Sequence, residues 1–216
     1  MAHEFFDMTH HVLSKHSHGR PFQISFIGQG EPLINCDNIF SFCDKAVGHW
    51  PDVVFGISTI GIAEGIYALA ACEWARRVKL QISIHALPKD KRLRIVRAEQ
   101  DYPIQHAMEA AKHFATTTGR TVYLSYVPLH EVNDGEDDAE LLADLAKAGP
   151  FCVKITEYNP SPESPYLPAK QEAMSAFCAC LDKREVPYYC FRSIGAPYGI
   201  GCGQSRLTRE YPKPSP

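Results

Sequence analysis

Five short stretches of this chain bring together residue types that could do chemistry. Gly28-Gln29-Gly30-Glu31-Pro32 follows the apolar run Ile24-Ser25-Phe26-Ile27 and sets a carboxylate beside a glycine turn. A carboxylate there can receive an ammonium, which has only donors to offer; a glycine-rich strand-to-helix turn is equally at home as architecture. Ser58-Thr59 precedes Gly61 and could meet a ligand or cap the next helix. Ser83-Ile84-His85-Ala86 ends another apolar run, and its histidine is either a site residue or a satisfied structural one. Asn159-Pro160 stands where a ligand contact or a turn would serve. Gly201-Cys202-Gly203-Gln204 sets a thiol between two glycines, which suits a mobile loop better than a packed core. An exposed loop thiol can ionise and act as a nucleophile, whereas a buried one is inert.

Other clusters carry less. Cys178-x-Cys180 and the Cys36/Cys43 pair lack the spacing of a strong metal-ligand set, and no metal site is expected. His10-His11 with His16 and His18 reads as a solvated helix end that could take a metal adventitiously. Lys89, Lys91, Arg92, Arg94 and Arg97 form the one dense basic run, either a solvated face or a holder of phosphates.

These residues need elements to position them. Apolar periodicity predicts a helix over residues 2–15, with Phe5, Phe6, Thr9, Val12 and Leu13 inward, and a strand over 22–27. Asp37 or Asn38 could cap a helix running to about Val47. Residues 53–57 read as a buried strand, 62–76 as a helix and 80–84 as a strand. The clearest helix is 103–117, where Ile104, Ala107, Met108, Ala111, Phe114 and Ala115 keep helical spacing between Pro103 and Gly119. Strands at 121–127, 152–157 and 188–192 alternate with helices at 137–148 and 170–184. Such alternation implies parallel pairing through right-handed crossovers. The expectation is an α/β fold, an open or partial barrel over residues 1–205, with a tail at 206–216 outside it. In such a barrel chemistry collects at the C-terminal ends of the strands, and Glu31, Ser58, His85, Asn159 and Cys202 each follow an expected strand.

The chain has 216 residues, 45% hydrophobic and 22% charged, with a net charge of −3. That is enough for one ordinary core and too apolar for wholesale disorder. A free-standing nucleic-acid binder is usually more basic, so any such contact would need a local patch. No apolar run reaches the roughly 18 residues of a membrane helix, and no signal peptide precedes the first helix, so no membrane association is expected. Eight cysteines in a chain of this length fit a reducing cytoplasm better than a disulfide scaffold. Cys72, Cys152, Cys178 and Cys190 are expected to behave as small core residues.

Taken in order, the motifs resemble those of the radical S-adenosylmethionine (SAM) enzymes that methylate C2 or C8 of an adenosine in RNA. Phe26-Ile27-Gly28-Gln29-Gly30-Glu31-Pro32-Leu33-Ile34-Asn35-x-Asp37-Asn38 is similar to that family's F-M-G-M-G-E-P-L-x-N-x-D-N. Ile57-Ser58-Thr59-Ile60-Gly61-Ile62 resembles I-S-T-V-G-I, and Ile82-Ser83-Ile84-His85-Ala86 resembles V-S-L-H-A. Tyr126-Val127-Pro128-Leu129 with Val132-Asn133-Asp134 resembles Y-x-L-L-x-x-V-N-D, and Tyr158-Asn159-Pro160 with Ser164-Pro165-Tyr166 resembles F-N-P-x-x-x-S-x-Y. Arg192-Ser193 and Gly201-Cys202-Gly203-Gln204 resemble the closing R-x-S and A-C-G-Q. The order holds over about residues 3–205.

The resemblance implies a partial (β/α)6 radical SAM-type barrel missing its first strand. It implies SAM and a 4Fe-4S cluster as cofactors and rRNA or tRNA as partner. Gly30 and Glu31 would bind the methionine end of SAM. Ser58, Ser83, Ile84 and His85 would line the rest, Asn159 would meet the ribose, and Cys202 would carry the methyl group. The departures are as informative. The family's C-x-x-x-C-x-x-C cluster loop is not in this sequence, and Ala98-Glu99-Gln100 stands where P-I-N is common. The family's N-terminal accessory domain, resolving cysteine and proposed base lie upstream of the matching region. Without its first strand the sheet would have an open edge that invites self-association. Two rivals to an RNA methyltransferase remain: a catalytically silent SAM-fold module that binds RNA or a partner chain, and a radical SAM enzyme with another substrate.

Overall fold

The computed structural model describes residues 2–16, 21–27, 30–160 and 164–193. Helix α1 (Ala2–His16) leads into strand β1 (Gln23–Phe26). Then follow α2 (Cys36–His49), β2 (Val54–Thr59), α3 (Ala63–Ala70), β3 (Val78–Ser83), α4 (Lys89–Ile95), α5 (Ile104–Thr118), β4 (Val122–Tyr126), α6 (Glu136–Lys147), β5 (Phe151–Thr156), α7 (Gln171–Lys183) and β6 (Tyr188–Phe191). Short 3-10 turns lie at Pro32–Ile34, Ala75–Arg77 and Arg97–Gln100.

All six strands form one sheet in the order β1-β2-β3-β4-β5-β6, and every pairing is parallel. Each strand therefore neighbours its successor, and every crossover steps the same way. Crossovers of one hand in one direction put their helices on a single face. Burial follows that geometry. Phe55, Ile57, Leu80, Ile82, Leu124, Val153 and Ile155 are sealed from solvent in the core beneath the helices. The alternate positions Ser25, Ser58, Gln81, Ser125 and Lys154 are polar. Parallel sheets covered on both faces read as continuous apolar runs. This one alternates with period two, so its second face serves something other than a helix layer.

Strands fall within one or two residues of their expected positions, and α5 buries the six expected side chains before Gly119, at φ 68°, ends it. Other expectations change. On α1, Phe5 and Val12 are 40% and 55% exposed. The helix packs on α2 through one side of Phe5 and through Phe6, whose ring centres lie 4.8 Å and 6.2 Å from that of Phe42, and Phe6 also stacks on Trp50 just past α2. Helix α2 starts at Cys36 with Asn35 in the cap position; Asp37 lies in the first turn and Asn38 donates to Asn35 Oδ1 at 2.7 Å. The helix expected over 62–76 stops at Ala70. Beyond it the Trp74 indole, packed against Phe40 and Phe55, donates to Asp44 Oδ1 at 2.7 Å and draws the chain onto α2. Among the described cysteines, Cys43 and Cys180 are buried, whereas Cys190 is exposed. No helix among the described residues is long and apolar enough to cross a membrane.

Candidate functional site

Because the strands are parallel, their C-terminal ends share one edge of the sheet. Gly30, at φ 85°, turns the chain after β1; an added Cβ would meet nothing within 4 Å, so glycine serves the backbone angle rather than space. Glu31 then ties two strand ends together. Its Oε1 accepts from Leu33 N–H at 3.0 Å, capping the 3-10 turn, and its Oε2 accepts from Ile60 N–H, beyond β2, at 2.8 Å.

Ser58 lies inside β2 rather than after it, because the strand runs on through Thr59. Thr59 Oγ1, buried, accepts from Gly61 N–H at 3.0 Å, so the turn-capping role falls to Thr59 and leaves Ser58 on the polar face. Gly61 lets the turn approach α5: a Cβ there would lie 2.6 Å from that of Ala107. Ser83 ends β3, and Ile84 is buried, its N–H donating to Ser125 O at 2.8 Å. His85 has φ 59°, a left-handed conformation uncommon outside glycine. Its carbonyl accepts from Asn133 Nδ2. Its Nδ1 is buried without a hydrogen-bond partner among the described residues. Burial, with the Arg92 charge alongside, lowers the imidazole pKa to about 4, so the ring is neutral near pH 7. Asn159, after β5, donates from Nδ2 to Ser193 Oγ at 3.2 Å. Cys202, with the Gly201–Gln204 motif, lies outside the described residues.

The basic run is not simply a solvated face. It folds into α4 and turns Arg92 inward, fully buried. Arg92 Nη2 donates to Ile60 O at 3.1 Å and Ser83 O at 2.9 Å, clipping the ends of β2 and β3 together. Its Nη1 lies 3.2 Å from Glu99 Oε2, and Glu99 is also fully buried. Glu99 Oε2 accepts in turn from Ile104 N–H at 3.0 Å, at the start of α5. Lys91 pairs with Asp138 at 2.7 Å. A second buried clip is Asn133, which donates to His85 O and Val127 O and accepts from Leu129 N–H. Tyr126 closes it by donating from its hydroxyl to Asn133 O at 2.7 Å.

Two clefts open on this side. One, of about 640 Å³, is lined by Gly30, Glu31 and Pro32 together with apolar side chains of α1, β1 and α2. The other, of about 500 Å³, runs along the polar sheet face past Ser58, Lys79, Gln81 and Lys154. Ser25 and Ile27 line both, so the clefts meet along β1. Ser83, Ile84, His85 and Asn159 share the sheet edge but line neither cleft. Sequence reasoning missed Gln81 and Lys154, though the period-two alternation of strands expected to be buried was a signal for them. It gave Arg92, Glu99 and Asn133 no role in holding the loops. Nothing in their spacing announces it.

No family model matches the chain. Its fold is of the radical SAM class: a radical SAM methyltransferase from Sphaerobacter thermophilus superposes with a TM-score of 0.85, at 28% identity over 94% of this chain and 61% of its own. Two relatives bear the name probable dual-specificity RNA methyltransferase RlmN. That of Dictyoglomus thermophilum is 33% identical over 187 residues, 85% of this chain and 53% of its own length. That of Thermus thermophilus is 34% identical over 196 residues, 88% of this chain and 54% of its own. The chain thus spans about half the length of these relatives, and over that stretch it belongs to the RlmN-like radical SAM methyltransferase family.

Proposed function

We propose that the chain is the SAM-binding portion of a radical SAM RNA methyltransferase of the cytoplasm that methylates C2 of adenosine in rRNA or tRNA through a methyl-cysteine at Cys202. The observation that carries this reading is the shared edge of Gly30-Glu31, Ser58, Ser83-Ile84-His85 and Asn159. It sets a carboxylate, hydroxyls, a carboxamide and a neutral imidazole along one end of the sheet, where Gly30, Glu31 and Ser58 line the two connected clefts. That mixture suits a zwitterionic amino acid joined to adenosine. In this reading Gly30 and Glu31 take the ammonium, Ser58, Ser83, Ile84 and His85 line the rest, and Asn159 meets the ribose. The sheet is the (β/α)6 barrel short of its first strand, with residues 1–205 acting as one unit. The Cys202 thiolate attacks the sulfonium methyl group; its new S–C bond forms as the bond from methyl to sulfonium sulfur breaks, and S-adenosylhomocysteine leaves.

The residues present do not fit a 4Fe-4S cluster. Three thiolates of a cluster loop are not in the sequence, and among the described residues no group of three His, Cys, Asp or Glu could hold a metal ion. No radical step is therefore derived from this chain. The test is incubation of the full chain with methyl-labelled SAM, followed by peptide mapping. Label on Cys202, lost in Cys202→Ala, is expected. Bound SAM with no label on Cys202 refutes the methyl-carrier role, and no binding at all refutes the reading as a whole.

A further inference from the structure

We propose that Gln81 and Lys154 are positioning residues that fix the Ser58 hydroxyl as a hydrogen-bond donor, so that the ligand group it meets is the carboxylate at the methionine end of SAM. The inference rests on the reading of this edge as a SAM site. Gln81 lies opposite Ser58 in the β2–β3 register. From β5, Lys154 reaches across β4 and donates from Nζ to Gln81 Oε1 at 2.9 Å. Its ammonium also lies 4.3 Å from the centre of the Phe191 ring.

An ammonium has donors only, so it can face only the oxygen of the carboxamide. That orientation turns Gln81 Nε2 toward Ser58 Oγ, at 3.3 Å. The NH2 group is itself donor-only, so the serine oxygen must accept, and its single proton is left to point onward. A carboxylate oxygen can receive that proton, whereas a ligand ammonium could only donate to the second lone pair of the serine oxygen and would leave the proton unused. The electrostatics agree. Lys79 and Lys154 line this cleft, and no Asp or Glu does among the described residues, so an anion entering it is favoured. The Gly30–Glu31 cleft adjoins through Ser25 and Ile27. The two charged groups of one amino acid can therefore be received on neighbouring surfaces of opposite polarity.

The test is calorimetry on the full chain with two probes: S-adenosylhomocysteine, which keeps the amino-acid end, and 5′-methylthioadenosine, which lacks it. The variants are Lys154→Met, which frees the carboxamide to rotate, and Gln81→Glu, whose carboxylate takes the serine proton for itself. Each is expected to weaken S-adenosylhomocysteine about 10-fold or more and to leave 5′-methylthioadenosine within about twofold. Retained 5′-methylthioadenosine binding also reports an intact fold. Unchanged S-adenosylhomocysteine affinity in both variants, or equal losses for both probes, overturns the inference. If the unmutated chain binds 5′-methylthioadenosine as tightly as S-adenosylhomocysteine, the pocket stands and the carboxylate assignment falls. If it binds neither, both fall.

Discussion

Replacing Glu99 by Gln tests whether the site edge hangs on the buried ion pair. Glu99 and Arg92 are both fully buried, 3.2 Å apart. Among the described residues, Arg92 Nε and Nη1 and Glu99 Oε1 have no hydrogen-bond partner. The pair is thus held by charge rather than by well-directed hydrogen bonds. Such a pair gives little net stability against an apolar substitute, because desolvation offsets the attraction; removing one member alone is expensive, because the other charge stays buried. The size of that loss is about 3–5 kcal/mol, a large part of a typical total of about 5–15 kcal/mol.

Gln is nearly isosteric and can still accept from Ile104 N–H, so Glu99→Gln isolates the charge. With roughly 2–4 °C lost per kcal/mol in a chain of this size, Tm should fall by roughly 6–20 °C. Urea unfolding followed by circular dichroism gives the free energy directly. The double variant Arg92→Met/Glu99→Leu should lose less than the two single losses combined. It will not recover fully, since Ile60 O and Ser83 O lose their donor. A Glu99→Gln protein within about 1 kcal/mol of the unmutated chain, below the cost expected for a stranded charge, would refute the reasoning.

Other expectations follow from single interactions. His85 holds its folded pKa near 4 against an ordinary 6.5. The unfolded chain therefore binds the proton first, and stability should fall by up to roughly 3 kcal/mol as pH drops from about 6.5 to about 4; a His85→Gln variant with the same acid slope would exclude His85 as the cause. Asn133→Ala strands two carbonyls and one N–H in the interior and should cost about 3 kcal/mol or more by urea unfolding. Thiol labelling of the folded chain should rank Cys202 ahead of Cys72, whose pKa burial raises to about 11, and of Cys152, which burial also raises; peptide mapping that finds Cys202 among the slowest would exclude a methyl carrier there. The outer edge of β1 is unpaired among the described residues, so the chain should self-associate. Sedimentation velocity showing only monomer at high concentration would contradict this.

What the sequence made legible is what local spacing encodes. Helix α5 was readable because six apolar side chains at helical spacing need one face and nothing more. The strand ends were readable because Gly, Ser and Asn punctuate them. The end of α3 was not, because Trp74 leaves the helix path to reach Asp44, a residue 30 positions away. Arg92 was read as part of a basic run because its partner carbonyls, at Ile60 and Ser83, become neighbours only when β2 and β3 pair. Gln81 and Lys154 stand 73 residues apart and meet only across the finished sheet.

Glu31 illustrates why position and role separate in this fold. A carboxylate has about four acceptor sites, and two are occupied by the N–H groups of Leu33 and Ile60. Those bonds fix the carboxylate between the ends of β1 and β2. Glu31 also lines the cleft that it shares with Gly30, and these two bonds leave it further acceptor sites. Architecture and binding therefore draw on different lone pairs of one group, and they do not compete. The same economy governs the rest of the edge. Arg92 and Asn133 spend their donors on backbone carbonyls, which leaves the side chains of Ser83 and His85 uncommitted to holding the loops. A polar edge on a parallel sheet needs such clips, because strand ends carry backbone groups that the ladder cannot satisfy. Satisfying them from buried residues below leaves the groups above free to meet a ligand.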